Sequence, residues 1–351
     1  MSLLQKKIAQ IPPLNQQWID KAQEHLNSLA MPPGALGRVH ESARQLAAIQ
    51  KTLTPSVKNK VLVMSAADHG IAAAGVSKYP QITDAIVKTA THGGAAINAF
   101  CRQTNCHLKI FDVGVIGEIS YPSPMPQNTE FISNKIAAGT ANMLEEPAMT
   151  SEQCHQAINS GIELAVKLSE TYDVLGLGEM GIANTTSASV LTGAYCNLSA
   201  EEVTGPGTGV CGEELKNKIS VVKQILARNQ NFDALEILRN FGGFEIAAMT
   251  GLIIGMSSQG KAVILDGFIS GAAALAAYSL APHCKDYLFA GHVSAEPAHA
   301  AILEKLQLKP LLCLDMRLGE GTGAALAMNV LETSCEVLKS MFTLNEALQI
   351  K

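Results

Sequence analysis

Carboxylates, imidazoles and glycines recur in this chain at one kind of place, directly after a short apolar run. The runs are 61–64, 108–113, 174–177, 262–265, 287–290 and 311–314. The first leads into Ala67-Asp68-His69-Gly70, and the second ends on Asp112 and Gly114. The third leads into Gly178-Glu179-Met180-Gly181, and the fourth into Asp266-Gly267. The fifth is followed by His292 and Ser294, the sixth by Asp315, Arg317 and Gly319-Glu320-Gly321-Thr322-Gly323. Gly and Asp terminate strands well by themselves. Six such loops with acid, base and glycine together point instead to one functional rim.

Three glycine-rich loops, 176–181, 205–209 and 319–323, expose backbone N–H groups. The first and third run into predicted helices at 185–191 and 324–331, where free amides and the helix dipole favour a phosphate. Candidate phosphate and nucleotide residues are Gly178, Gly181, Asn184, Gly205, Gly207, Asp266, Ser294, Gly319 and Gly321. No G-x-x-x-x-G-K-[ST] sequence is present, nor an acidic pair of the kind that holds magnesium and a ribose pyrophosphate. The expected ligand is a monophosphate, with no metal and no cofactor. Residues 176–181 also match G-x-G-x-x-G, with Glu201 about twenty residues on, the mark of a dinucleotide site. That supports an NAD-dependent dehydrogenase as the alternative, or a non-catalytic nucleotide-binding protein. Against the dehydrogenase, Glu179 would set a carboxylate beside a pyrophosphate, and Asn197-Leu198-Ser199-Ala200 before Glu201 is no strand. A carboxylate in a phosphate loop needs a chemical reason. For Glu179 and Glu320 a general base, or a group facing positive charge at a sugar carbon, supplies one.

The elements that position these residues follow from periodicity. Several of the runs are Val/Ile/Leu-rich without alternation, as in parallel strands covered on both faces. Strand and helix alternate over some 260 residues, so the fold class is α/β. Residues 1–55 read as helical: Leu36, Val39, Ala43, Leu46 and Ala47 share one face. The turn Pro32-Pro33-Gly34 precedes them, and a loop follows at 52–57.

Composition narrows the class further. The chain has 351 residues, 47% of them hydrophobic but only 5% aromatic. Charged residues are 16%, against roughly 25% in an average soluble protein, which hints at surface buried in an oligomer. The net charge of −5 argues against a nucleic-acid partner. No apolar run reaches the ~18 residues of a membrane span. Eight cysteines are scattered without a C-x-x-C pair, as expected of a reduced, cytoplasmic protein.

The motifs together resemble the nicotinate-nucleotide:dimethylbenzimidazole phosphoribosyltransferases, the CobT family. The matching stretches include Pro33-Gly34-Ala35-Leu36-Gly37-Arg38, Ala67-Asp68-His69-Gly70 and Gly178-Glu179-Met180-Gly181-Ile182-Ala183-Asn184-Thr185-Thr186. Further on come Gly242-Gly243-Phe244-Glu245, Leu265-Asp266-Gly267-Phe268-Ile269-Ser270, His292-Val293-Ser294-Ala295-Glu296 and Arg317-Leu318-Gly319-Glu320-Gly321-Thr322-Gly323. They span about residues 30–330, in family order. The resemblance implies transfer of phosphoribose from nicotinate mononucleotide to a benzimidazole nitrogen, in the synthesis of the cobalamin lower ligand. It implies Glu320 as catalytic base, Glu179 in a second active-site loop, and Lys218 as the active-site lysine. It also implies that Gly181, Ser294 and Gly321 hold the nucleotide phosphate. Tyr79, Asp68, Met180 and Leu318 are the expected acceptor pocket. The implied fold is a six-stranded, mostly parallel, Rossmann-like domain over 56–328. A small helical domain from both chain ends, 1–55 and 329–351, reaches the active site of a homodimer partner. Ala35 replaces a common Ser, Pro206 occupies a variable position, and Tyr79 stands where some relatives have a small Ser. These departures bear on the preferred base, not on the reaction.

Overall fold

The computed structural model describes residues 1–229 and 231–350; Gln230 and Lys351, within the spans 56–328 and 329–351, lie outside the described residues. The strands are β1 (Lys60–Ala67), β2 (His107–Gly114), β3 (Thr129–Ser133), β4 (Val174–Met180), β5 (Ala262–Leu265), β6 (Leu288–His292) and β7 (Pro310–Leu312). The first helices are α1 (Leu3–Ala9), α2 (Gln16–Ser28), α3 (Arg38–Gln50), α4 (Thr83–Thr91) and α5 (Ala96–Thr104). Next come α6 (Ser151–Ser169), α7 (Asn184–Cys196), α8 (Ala200–Val203), α9 (Glu213–Leu226) and α10 (Ala234–Phe241). The last are α11 (Phe244–Ser258), α12 (Phe268–Leu280), α13 (His299–Leu306), α14 (Thr322–Ser340) and α15 (Leu344–Ala347).

The sheet is seven-stranded in the order β3-β2-β1-β4-β5-β6-β7, and every pair is parallel. The expectation of six strands is corrected to seven. The additional strand, β3, is a half-exposed edge strand whose sequence, Thr-Glu-Phe-Ile-Ser, mixes polar and apolar residues, so it carries no buried-strand pattern. The inner strands β1, β5 and β6 are buried along their whole length, as strands with helices on both faces must be. Strand order reverses between β1 and β4. In open α/β sheets that switch point opens a crevice beyond the carboxyl ends of the strands. Asp68-His69 and Glu179-Met180 both sit there.

A second, smaller core lies apart from the sheet. Ala22, Leu26 and Leu29 pack on Ala43, Ala47, Val337 and Leu338, joining α2, α3 and the end of α14. Leu29 also bridges to Thr343. Leu4 and Ile11, in contrast, join the main core. The expected boundary at 328/329 falls inside α14, which runs unbroken from the active-site loop into the helical unit.

Candidate active site

A cavity of about 660 Å³ opens at the carboxyl ends of the strands, within the usual range for small-molecule sites. Its apolar wall comes from Tyr79, Ile82 and Ile86 at α4, Met180 and Ile182 after β4, and Leu318 before α14. Its polar wall carries Glu179, Asn184 and Thr185, then Asp266, His292, Ser294, Glu296, Arg317 and Glu320. Gly181, Gly207 and Gly319 also face it.

Glu320 stands in three successive left-handed residues, with φ of 86° at Gly319, 61° at Glu320 and 95° at Gly321. Only glycine adopts that conformation freely, so Glu320 is held in it by its surroundings. Its Oε2 accepts the Ile97 N–H at 3.0 Å. Burial pushes its carboxyl above the ordinary range, and the Ile97 amide opposes that.

Glu179 ends β4 and accepts a hydrogen bond from Asn184 Nδ2. Burial, then the nearby carboxylates of Asp266, Glu245 and Glu320, push it up to about 8, with Asn184 opposing. Its burial and its acidic neighbours favour the protonated carboxyl. Behind this loop His69 Nε2 meets Glu245 Oε1 at 2.6 Å, and His69 Nδ1 meets Ser187 Oγ at 3.0 Å. A Cβ at Gly181 would stand 3.3 Å from both Glu245 Oε1 and His69 Cδ2, so the buried pair supports the loop directly.

Lys218 does not line the cavity. Its ammonium donates to Thr185 Oγ1 at 3.0 Å and to the Gly205 carbonyl at 3.2 Å. Burial pulls it down to about 8, against the attraction of Glu296. It therefore acts on the wall through the Thr185 hydroxyl, which keeps its proton for a ligand. The Ser294 N–H donates to His299 Nδ1 at 2.8 Å. That needs an unprotonated His299 nitrogen, and burial holds this imidazole down at about 3.

Several expected placements are corrected. The start of α14 does not offer a phosphate the free amides expected there. Asp266 already occupies them, accepting from Gly321 N–H at 3.2 Å, Gly323 N–H at 2.7 Å and Ala324 N–H at 3.1 Å. Burial raises Asp266 to about 6, with His292 and these amides opposing. Asp68 does not reach the cavity; its Oδ2 accepts the Ile116 N–H at 2.8 Å. Gly178 and Gly205 are likewise behind the wall: a Cβ would strike the Glu320 carbonyl at one and the Glu296 carboxylate at the other. The dinucleotide fingerprint is a packing pattern. Gly176 and Gly178 lie within β4, not in a turn. They make room for the 319–323 loop and for Met328 of α14.

Thr185, Ile82 and Ile86 line the cavity without standing among the candidate site residues of the sequence, and Arg317 stands there only as part of the sixth rim loop, without an assigned role. Arg317 Nη1 donates to the Gly207 carbonyl at 3.0 Å, tying the 205–209 loop to the cavity. Ile82 and Ile86 carry only a one-turn apolar spacing, which buried core residues share. Among the described residues no group of three His, Cys, Asp or Glu is placed to hold a metal ion.

A parallel α/β sheet of this order, with a cavity carrying acids and hydroxyls at its carboxyl edge, is the architecture of an α/β protein that binds a small molecule there. A family model described as phosphoribosyltransferase matches residues 11–348. The nicotinate-nucleotide–dimethylbenzimidazole phosphoribosyltransferase of Desulforamulus reducens is 41% identical, over 99% of each chain. That of Chloroflexus aggregans is 42% identical, over 99% of this chain and 98% of the other. The crystal structure of CobT from Thermus thermophilus superposes with a TM-score of 0.90 at 41% identity, covering 95% of this chain and 99% of that one. The chain belongs to the nicotinate-nucleotide–dimethylbenzimidazole phosphoribosyltransferase family.

Proposed function

We propose that this protein transfers phosphoribose from nicotinate mononucleotide to 5,6-dimethylbenzimidazole or a related base. The products are α-ribazole 5′-phosphate and nicotinate, and the step serves cobalamin lower-ligand synthesis. The observation that carries this reading is Glu320: a carboxylate held in a left-handed glycine loop, on the wall of a largely apolar cavity.

The nicotinate ring of the nucleotide is a pyridinium. When its bond to C1′ breaks, the electron pair goes to the ring nitrogen, so the leaving group needs no strong acid. One benzimidazole nitrogen forms the new bond from the opposite face, turning β into α. The other nitrogen then releases its proton to Glu320. A positioned base of this kind contributes ~10²–10⁴-fold, and holding both rings about the sugar contributes more. Thr185, backed by Lys218, and Ser294 and Arg317 are the donors we assign to the nucleotide, with Gly181, Asn184, Gly207 and Gly319 around them. Glu179 acts in its neutral form as a hydrogen-bond donor. Tyr79, Met180 and Leu318 receive the acceptor base. No metal or cofactor takes part.

We also infer a cytoplasmic homodimer, with an α/β body over 56–328 and a helical unit from 1–55 and 329–351 that reaches the partner. Phe342, Leu344, Leu348 and Ile350 support this: all four are exposed apolar side chains at the helical unit's end. No helix among the described residues is long and apolar enough to cross a membrane. Sedimentation across a dilution series tests the dimer. For the reaction, the protein is incubated with nicotinate mononucleotide and a panel of azoles and phenols, and products are read by mass. Absence of any ribosylated product overturns the reading.

A further inference from the structure

Helix α5 begins without a cap of its own. Its N-cap residue is Ala95, which has no side-chain oxygen to satisfy the first-turn amides. The missing acceptor comes from 223 residues away, where Glu320 Oε2 takes the buried Ile97 N–H at 3.0 Å. The same helix start is locked by Asn98, itself buried. Asn98 Oδ1 accepts the Ala95 N–H at 3.0 Å, and Nδ2 donates to the Ala90 carbonyl of α4 at 3.0 Å. Asn98 thus joins α4, which presents Ile82 and Ile86 to the cavity, to the amide that holds the carboxylate.

We propose that the α5 N-terminus is the positioning element for Glu320, with Asn98 as its lock. The Ile97 amide engages Oε2, so that Oε1 alone is left to take the acceptor's proton. This rests on the general-base reading of Glu320. One carboxylate oxygen is pinned by a backbone dipole, and Glu320 makes no other side-chain hydrogen bond among the described residues. The arrangement fixes which oxygen accepts the proton, and the amide favours the charged carboxylate against the burial that raises it.

Other charged groups face the same space. They are Glu179 from β4, Asp266 after β5, His292 from β6, Glu296, Arg317 in the same loop, and Tyr79 at the mouth. Glu245 and Lys218 stand behind the wall. The α4 side chains on that wall are apolar, and α5 donates its Ile97 amide to Glu320.

The direct test is Ile97→Pro, which deletes that one donor in the first turn of α5, where no intrahelical bond is lost. Asn98→Ala is the second variant, should the first not fold. Cys101→Ala, a buried change further along α5, is the control for lost packing. The acid limb of the pH profile of kcat for dimethylbenzimidazole is expected to move up by about one unit in Ile97→Pro or Asn98→Ala. That corresponds to a rate loss approaching tenfold on the acid side. The limb should stay put in Cys101→Ala, and nicotinate mononucleotide affinity by calorimetry should stay within about twofold throughout. More acidic acceptors, which need less help from the base, should show a smaller loss. A folded Ile97→Pro or Asn98→Ala with the wild-type limb overturns the proposal. Glu320→Gln separates the two failures. If it keeps the wild-type rate, the general-base reading itself falls; if it is inactive while the limb does not move, only the positioning role falls.

Discussion

Two glutamates of this protein stand beside glycines at neighbouring places on the sheet edge, one at the end of β4 and one in the loop before α14, and their surroundings make them different reagents. Glu179, near the end of β4 and buried on the cavity wall, is bonded to Asn184 and crowded by other carboxylates, and its carboxyl is pushed up to about 8. Glu320 is pinned at one oxygen by a helix-start amide, and its burial is less complete. The residue type is the same, although Glu179 stands at the end of a strand and Glu320 in a left-handed glycine loop. What differs is how many like charges surround each carboxylate and whether an amide dipole is aimed at it.

The sharpest way to break this comparison is to remove Glu320. Glu320→Ala is expected to lower turnover with dimethylbenzimidazole by ~10²–10⁴-fold, while nicotinate mononucleotide still binds. Single-turnover rates and calorimetry check it, and a near-normal rate removes Glu320 from the base role.

Glu179→Gln, which mimics the neutral acid, should lose only a few-fold at pH 7 by the same reasoning. It should also change stability in a defined direction. The folded protein keeps on Glu179 a proton that the unfolded chain loses near pH 4.5. Wild-type stability therefore falls as pH rises from about 4.5 to about 8. Melting temperatures of the two proteins should coincide near pH 4, diverge in favour of Glu179→Gln up to about pH 8 and stay apart by a constant amount above it. A gap that does not change with pH would mean Glu179 is ionised.

The next effect is smaller and lies on the apolar wall. Tyr79 is half exposed at the cavity mouth. Tyr79→Ala should weaken acceptor binding by ~1–3 kcal/mol, the range for lost aromatic burial. The nucleotide's Michaelis constant should barely move, and an equal loss for both substrates would take Tyr79 out of the pocket. Smallest of all is the expected effect of a chelator, which should leave the rate unchanged. Activity abolished by it and restored by a divalent ion would require a third reagent beside the two glutamates.

Much of the fold is legible in the chain itself. The apolar runs locate six of the seven strands: the inner ones because a strand covered on both faces must be apolar throughout, and the half-buried edge strand β7 by its short leucine run. The loops after them name Glu179 and Glu320, since polar residues that end buried strands collect at one edge of a parallel sheet. Strand β3 is not legible, because a half-exposed edge strand needs no such pattern.

Tertiary structure alone decided what each polar group is bonded to. The sequence shows a glycine loop before α14 but not that Asp266 fills its amides. It shows G-x-G-x-x-G but not that two of those glycines clear space for a helix and a carbonyl. Lys218 is named by its motif, yet only the fold puts Thr185 between it and the cavity. Local sequence determines periodicity, turns and residue chemistry, all of which act over a few residues. Hydrogen-bond partners, charge crowding and burial arise between segments hundreds of residues apart, as with Glu320 and Ile97, and exist only once the chain has closed on itself.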